Sequence, residues 1–152
     1  MEKKIFLKNK NLNLVKVNYS LAHIKFLFSL LKDRNSNYNI SHSKLPNFNE
    51  HKKFVQSIPY RYWFLIFNKE NIIGASYVSR LNEISIRLTE EDYEVYKEIL
   101  NLIIKNIKPL RAIASKRNKN FVINISPKEK YYAKFLNKIG LKKIQETYIV
   151  RV

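Results

Sequence analysis

From Leu12 to Val17 apolar and polar positions alternate, with Leu12, Leu14 and Lys16 on one side and Val15 and Val17 on the other, as in a β-strand. After Ser20, a natural N-cap, the period lengthens and Leu21, Ile24, Phe28 and Leu31 recur at helical spacing. Residues 33–46, DRNSNYNISHSKLP, are polar and end on a proline, which predicts a long loop of the kind that often carries function. A short helix follows from Asn49 to Ser57, closed by Pro59. YRYWFLIFN and NIIGASYVSR, separated by the turn residues 68–71, predict a hairpin, and Glu83 to Leu88 a third strand after a tight turn at Leu81 and Asn82. The spacing of Val95, Ile99 and Leu102 predicts a helix from Glu91 to Asn106, ending before Pro109. FVINI (121–125) reads as a strand, and Pro127 opens a helix that presents Tyr131, Phe135 and Ile139 on one face. Gly140 stops that helix, and KKIQETYIVRV closes as a strand. The order βααβββαβαβ over residues 1–152 predicts one α/β domain with a mixed sheet of about six strands between helices.

Composition narrows the chemistry. There is no cysteine, so disulfides, thiolate metal sites and cysteine nucleophiles are excluded, in keeping with a reducing, cytoplasmic setting. No run is long and apolar enough for a membrane span, and the basic start MEKKIFLKNK lacks the features of a secretory leader. A net charge of +17 suits an acidic partner such as a nucleotide, coenzyme A or an acidic protein. Lys, Asn and Ile supply 59 of 152 residues, a skew that an A/T-rich coding sequence produces whatever the function. The excess is Lys rather than the Arg that reads bases and phosphates bidentately. The densest basic knot is Lys116, Arg117 and Lys119, so nucleic-acid binding ranks third among the readings. His23, His42 and His51 show no ligand spacing with carboxylates, which leaves a metal site unsupported.

The element order, with Gly140 just before the last strand, resembles the GNAT superfamily of acyl-CoA-dependent N-acyltransferases. NISH (39–42), Pro46, His51, Trp63, IIG (72–74), EISI (83–86), INISPK (123–128) and IGLKKIQETY (139–148) carry the resemblance over nearly the whole chain. It implies a splayed sheet whose opening takes the pantetheine of acetyl-CoA, with the pyrophosphate on backbone amides before the central helix. The coenzyme contacts it implies fall at Leu88, Glu91, Asp92, Glu94, Tyr96, Asn124 and Glu129. Glu83 takes the position of a general base for an amine acceptor, such as an amino sugar or nucleotide sugar. Asn39, Ser41, His42, His51 and Gly74 become candidates for the acceptor pocket.

The coenzyme turn departs from the family motif Q/R-x-x-G-x-G/A, whose glycines let phosphates approach the backbone. Its matching positions hold Glu91, Glu94 and Tyr96, with Asp92 where a further glycine often stands. Like charges at close range cost about 1 kcal/mol each in water, so acetyl-CoA binding is expected to be weak. The same acids have a plain helical role, with Thr89 as N-cap and Glu90, Glu91 and Asp92 facing the positive end of the dipole. The family's thiolate-protonating Tyr is replaced by Leu136, with Tyr131 and Tyr132 earlier on the same helix as weak substitutes. Tyr60, Tyr62 and Trp63 read as packing aromatics on which a planar group could also stack, and Gly74 as a bulge or close backbone approach. Two principal readings follow: an N-acyltransferase using Glu83, or a binding or partner protein of the same fold that has lost the coenzyme.

Overall fold

The computed structural model describes residues 5–33 and 44–152. Its elements are β1 (Ile5–Asn9), β2 (Leu12–Lys16), α1 (Leu21–Asp33), α2 (Phe48–Gln56), β3 (Tyr62–Asn68), β4 (Asn71–Val78), β5 (Ile84–Leu88), α3 (Tyr93–Asn106) and α4 (Lys130–Lys138). The five strands form one antiparallel sheet in the order β1-β2-β3-β4-β5. β1, absent from the sequence reading, folds back on β2 through Lys10 at φ 46.

Strand alternation separates two cores. Leu14, Phe64, Val78, Ile84 and Ile86 pack on one face with Tyr96, Ile99 and Ile103 of α3 and Phe135 and Leu136 of α4. Val15, Leu65 and Ala75 pack on the other with Ile24, Leu27 and Leu30 of α1 and Val55 of α2. The α1 stripe is therefore rotated from its expected face, and Leu21 is exposed. α4 is similarly turned, with Tyr131 outside while Phe135 and Leu136 face in. Ser20 does begin α1, and α2 has a full capping box between Asn47 and Glu50. Gly140 at φ 93 ends α4, where Leu141 N–H donates to the Leu136 carbonyl in the Schellman pattern.

Two expected strands are not formed. Residues 121–125 meet the sheet only at a parallel bridge between Glu83 and Val122, and residues 142–152 have no strand pairing. The sheet thus has five strands, and its parallel part is that single bridge. Phe121, Ile123 and Ile125 still pack against the α3 core, so their apolar pattern reports burial rather than ladder pairing. Ile144, Tyr148, Ile149 and Val150 remain exposed; strand propensity without an adjoining edge gives no strand.

The bridge is fixed by Asn82, wholly buried at φ 62 in the β4–β5 turn. Its Nδ2 donates to the carbonyls of Leu110 and Asn118, each at 2.8 Å, and its Oδ1 accepts from Leu110 N–H at 2.8 Å. Its carbonyl accepts from Val122 N–H, and Ile84 N–H donates to the Val122 carbonyl. Asn tolerates this backbone conformation, and its amide matches the three loop groups. Asn82→Gly keeps the backbone freedom and removes the amide, so it is expected to lower stability by about 3 kcal/mol in urea unfolding, three hydrogen bonds to the loop being lost at about 1 kcal/mol each.

Gly74 lies next to a register shift between Ile66 and Phe67, where a Cβ would stand 2.1 Å from the Arg87 carbonyl oxygen. Gly74→Ala is expected to cost about 2 kcal/mol by the same assay, because strand backbone rather than a flexible side chain has to move.

Candidate functional site

Beyond the Glu83–Val122 bridge the two segments part, and a cavity of about 670 Å³ fills the gap. Cross-strand pairing puts Ser85 and Arg87 on the face of Tyr77 and Ala75, toward α1 and α2. Ile86 and Ser76 turn the other way, toward α3 and α4. Residues of both sets line the cavity together with Ile123, Asn124 and Ile125, so it passes around the edge of β5 from one face of the sheet to the other.

Three buried polar side-chain atoms among the described residues lack a hydrogen-bond partner: Asn13 Oδ1, His51 Nε2 and Ser76 Oγ. Two of them belong to residues of the cavity lining, His51 and Ser76, although each atom is itself covered by protein. His51 comes from α2 and packs its ring against Phe28. The α1/α2 chamber is otherwise walled by four rings in mutual contact. Tyr60 stacks on Tyr77 with centroids 3.8 Å apart, and Trp63 and Phe54 meet Tyr60 edge-on at 4.9 and 6.0 Å. The sequence reads Tyr60 and Trp63 as packing aromatics on which a planar group could stack; the fold adds Phe54 and Tyr77 and sets all four at the cavity.

On the opposite side Tyr96 and Tyr132 line the cavity, and Phe135 packs against Tyr96. Burial pushes the Tyr96 hydroxyl well above its usual range, with the Tyr132 and Glu129 charges adding to the effect. Tyr132 is raised chiefly by burial, then by Glu91, while Arg87 acts against the shift. Both therefore stay protonated at neutral pH. Tyr132, rather than the core residue Leu136, is the α4 side chain that reaches the cavity.

The remaining sequence candidates occupy different places. Glu83 accepts from Ser79 Oγ at 2.8 Å and from Asn124 Nδ2 at 3.0 Å, so it joins the two sides of the splay at its apex, and Asn124 stands between it and the cavity. Glu129 is the α4 N-cap; its carboxylate accepts from Ser126 N–H and also lines the cavity. Leu88 packs on the α3 core at the end of β5. Gly74 belongs to the close strand approach rather than to the cavity lining. Asn39, Ser41 and His42 lie outside the described residues, although Lys44, Leu45 and Pro46, which follow them, line the cavity.

The acid turn corrects the expected cap. Thr89 N–H and Oγ1 both donate back to the Ile73 carbonyl, and Asp92 is the N-cap, accepting from Val95 N–H at 3.0 Å. Glu90 and Glu91 thus precede α3, and Glu94 lies in its first turn. Tyr96 is a core residue inside the helix, so a glycine there would strip out a buried ring at about 3–5 kcal/mol, not the roughly 1 kcal/mol expected from helix propensity alone. In the basic loop, Arg117 is spent on structure, its guanidinium donating to the carbonyls of Arg111 and Arg80. No group of three or more potential metal ligands occurs among the described residues, and no helix is long and apolar enough to cross a membrane.

Burial lowers both His23 and His51 below the ordinary histidine value of 6.5, the bond of His51 to the Ile24 backbone opposing the shift. The unfolded chain then takes protons first as pH falls. Stability is expected to hold above about pH 6.5 and to drop through the acidic side of that value. The urea midpoint at pH 7.5 and pH 5 checks this, and the difference is expected to shrink in His23→Gln and His51→Gln.

No family model and no curated protein matches the sequence. Solved structures do match in fold. A ribosomal L7/L12 alpha-N-protein acetyltransferase in complex with coenzyme A superimposes with a TM-score of 0.64 at 15% identity, over 90% of this chain and 83% of that one. A spermidine N-acetyltransferase from Vibrio cholerae, a dodecamer in an intermediate state, gives a TM-score of 0.59 at 13% identity, over 93% and 87% of the two chains. The chain therefore has the GNAT N-acetyltransferase fold.

Proposed function

We propose that this protein is an N-acyltransferase in which an acyl thioester and an amine meet through the splay of the sheet. The cavity that joins the two faces around β5 carries this reading, since a transfer between two ligands needs a place where both reach one point. Acetyl-CoA is the proposed cofactor; Ser85, Ile86, Ile123, Ile125 and Tyr132 of the cavity lining would hold it. When bound it would supply an activated thioester, whose C–S bond breaks as an amine forms the new C–N bond. Tyr132, the α4 side chain of the cavity lining, would give the departing thiolate its proton. Glu83 would take the proton the amine loses through an intervening water, with the Asn124 amide holding its carboxylate in place. A cytoplasmic setting fits the absence of cysteine from the sequence.

A second reading, a coenzyme-free binding or partner protein, is favoured by one observation. The N-terminal amide that an incoming phosphate would use is already taken by the Asp92 carboxylate. Calorimetric titration of acetyl-CoA separates the two. Weak but saturable binding is expected for the natural chain. It should tighten about tenfold, or 1.4 kcal/mol, in Glu91→Arg/Asp92→Gly. Replacing an Asp cap by Gly costs only a few tenths of a kcal/mol, so the variant should remain folded. Absence of binding in both proteins at millimolar acetyl-CoA would remove the acyltransferase reading in favour of the second.

A further inference from the structure

Where α3 ends, Lys105, Lys108, Arg111, Lys116, Arg117 and Lys119 follow within residues 105–120 with no carboxylate among them. Glu90, Glu91, Asp92 and Glu94 gather at the other end of the helix, so its two ends are oppositely charged. A Lys-rich coding skew does not account for the arginines. Four of the chain's seven lie on one hydrogen-bonded path through backbone carbonyls. Arg117 donates to the carbonyls of Arg111 and Arg80, at 2.6 and 3.0 Å, and Arg80 donates to those of Ile58 and Pro59, at 3.3 and 3.2 Å. Arg61, just beyond Pro59, donates to the Lys108 carbonyl at 2.8 Å. Among the described residues no carboxylate pairs with these four guanidinia, and Glu83 turns its own to Ser79 and Asn124. Neutral carbonyls fix the planar forks without cancelling their charge. A guanidinium has five N–H donors, so donors remain for an anion.

At Arg61 this path meets a second cavity, of about 210 Å³, whose lining includes Lys16, Tyr19, Tyr60, Tyr62 and Trp63 and no Asp or Glu. Lys16 Nζ and Arg61 Cζ lie 5.4 and 5.1 Å from the centre of the Tyr62 ring, so positive charge and aromatic surface occur together. Tyr19 is 51% exposed and leaves ring surface open. The volume is below that of an ordinary small-molecule pocket and suits one planar ring system. We propose that this end of the sheet binds single-stranded nucleic acid, one base lying against the rings of the cavity while the neighbouring phosphates run along Arg61, Arg80, Arg117 and Arg111. An acidic peptide would answer the arginines but leave the ring-lined hollow without a use. A nucleotide strand brings a stackable face and a phosphate at every step. Residue counts alone rank nucleic acid third for this chain; the fold alters that by gathering its arginines beside aromatic rings. The binding is independent of the acyltransferase reading and needs no coenzyme.

Fluorescence anisotropy of a labelled single-stranded dodeca-uridylate, at about 0.1 M salt, is expected to show saturable binding. The logarithm of its affinity should fall against the logarithm of salt with a slope of about −3, four phosphates contributing about 0.7 each. Polyglutamate of the same charge, and the same strand in duplex with its complement, should each bind at least tenfold more weakly. Arg111→Gln/Lys108→Gln changes two exposed positions and should weaken the strand at least tenfold. Lys134→Gln/Lys138→Gln removes the same charge from exposed positions of α4 and should weaken it less than threefold. Tyr19→Ala, also at an exposed position, should weaken the strand several-fold and leave the salt slope unchanged. Polyglutamate or duplex binding as tight as that of the strand, equal losses in the two charge variants, or a Tyr19→Ala protein that binds as the natural one does would overturn the proposal.

Discussion

The amide of Asn82 holds the site open by holding one end of it shut. A five-stranded antiparallel sheet would end at β5 with a plain edge; here the segment 121–125 is fastened to that edge at one point and then departs. The fastening is a buried amide with two donors and one acceptor all engaged, on a residue type that tolerates a positive φ. Glu83, the next residue, adds a side-chain link from its carboxylate to Asn124. With the apex fixed, the apolar side chains of 121–125 can lean on the α3 core without completing a ladder, and the gap becomes a cavity rather than a sixth strand. The carboxylate singled out by the family resemblance is thus first a part of the hinge, and its chemistry depends on what Asn124 presents to the cavity.

Much of the architecture was legible because periodicity and punctuation agree along this chain. The β3–β4 hairpin, the Ser20 start of α1 and the Gly140 stop of α4 each rest on local geometry that one residue type supplies. What failed were inferences about partners. FVINI and KKIQETYIVRV have strand composition, but a strand exists only beside another edge, and no local pattern states where that edge runs. The helix faces were misaligned for a related reason: Phe28 and Tyr131 are apolar enough to be assigned inward, and tertiary packing chose Leu27, Leu30 and Leu136 instead. In the site, His51 and Asn124 were visible as residue types. Ser76 was not, because a serine among strand residues becomes informative only when its hydroxyl is buried beside a cavity without a partner.

The acid turn shows how one physical need can displace another. A helix start presents unpaired N–H groups and positive potential, and either an external phosphate or an internal carboxylate can meet them. Asp92 takes the internal solution, while Thr89 closes the approach by bonding back to β4. This helix end is thereby stabilised whether or not a ligand is present, so any coenzyme has to find its affinity elsewhere. Arg87 lines the cavity from β5 and lies close enough to Tyr132 to oppose its shift.

The two halves of the cavity differ in kind, and that difference bears on why a transfer reaction suits it. Toward α3 and α4 the lining carries the phenols of Tyr96 and Tyr132. Toward α1 and α2 it carries the rings of Phe54, Tyr60, Trp63 and Tyr77 with the buried His51 beside them. The proposed transfer asks for two ligands that differ in kind and meet at one opening, and a lining that changes character from one face of the sheet to the other suits that demand.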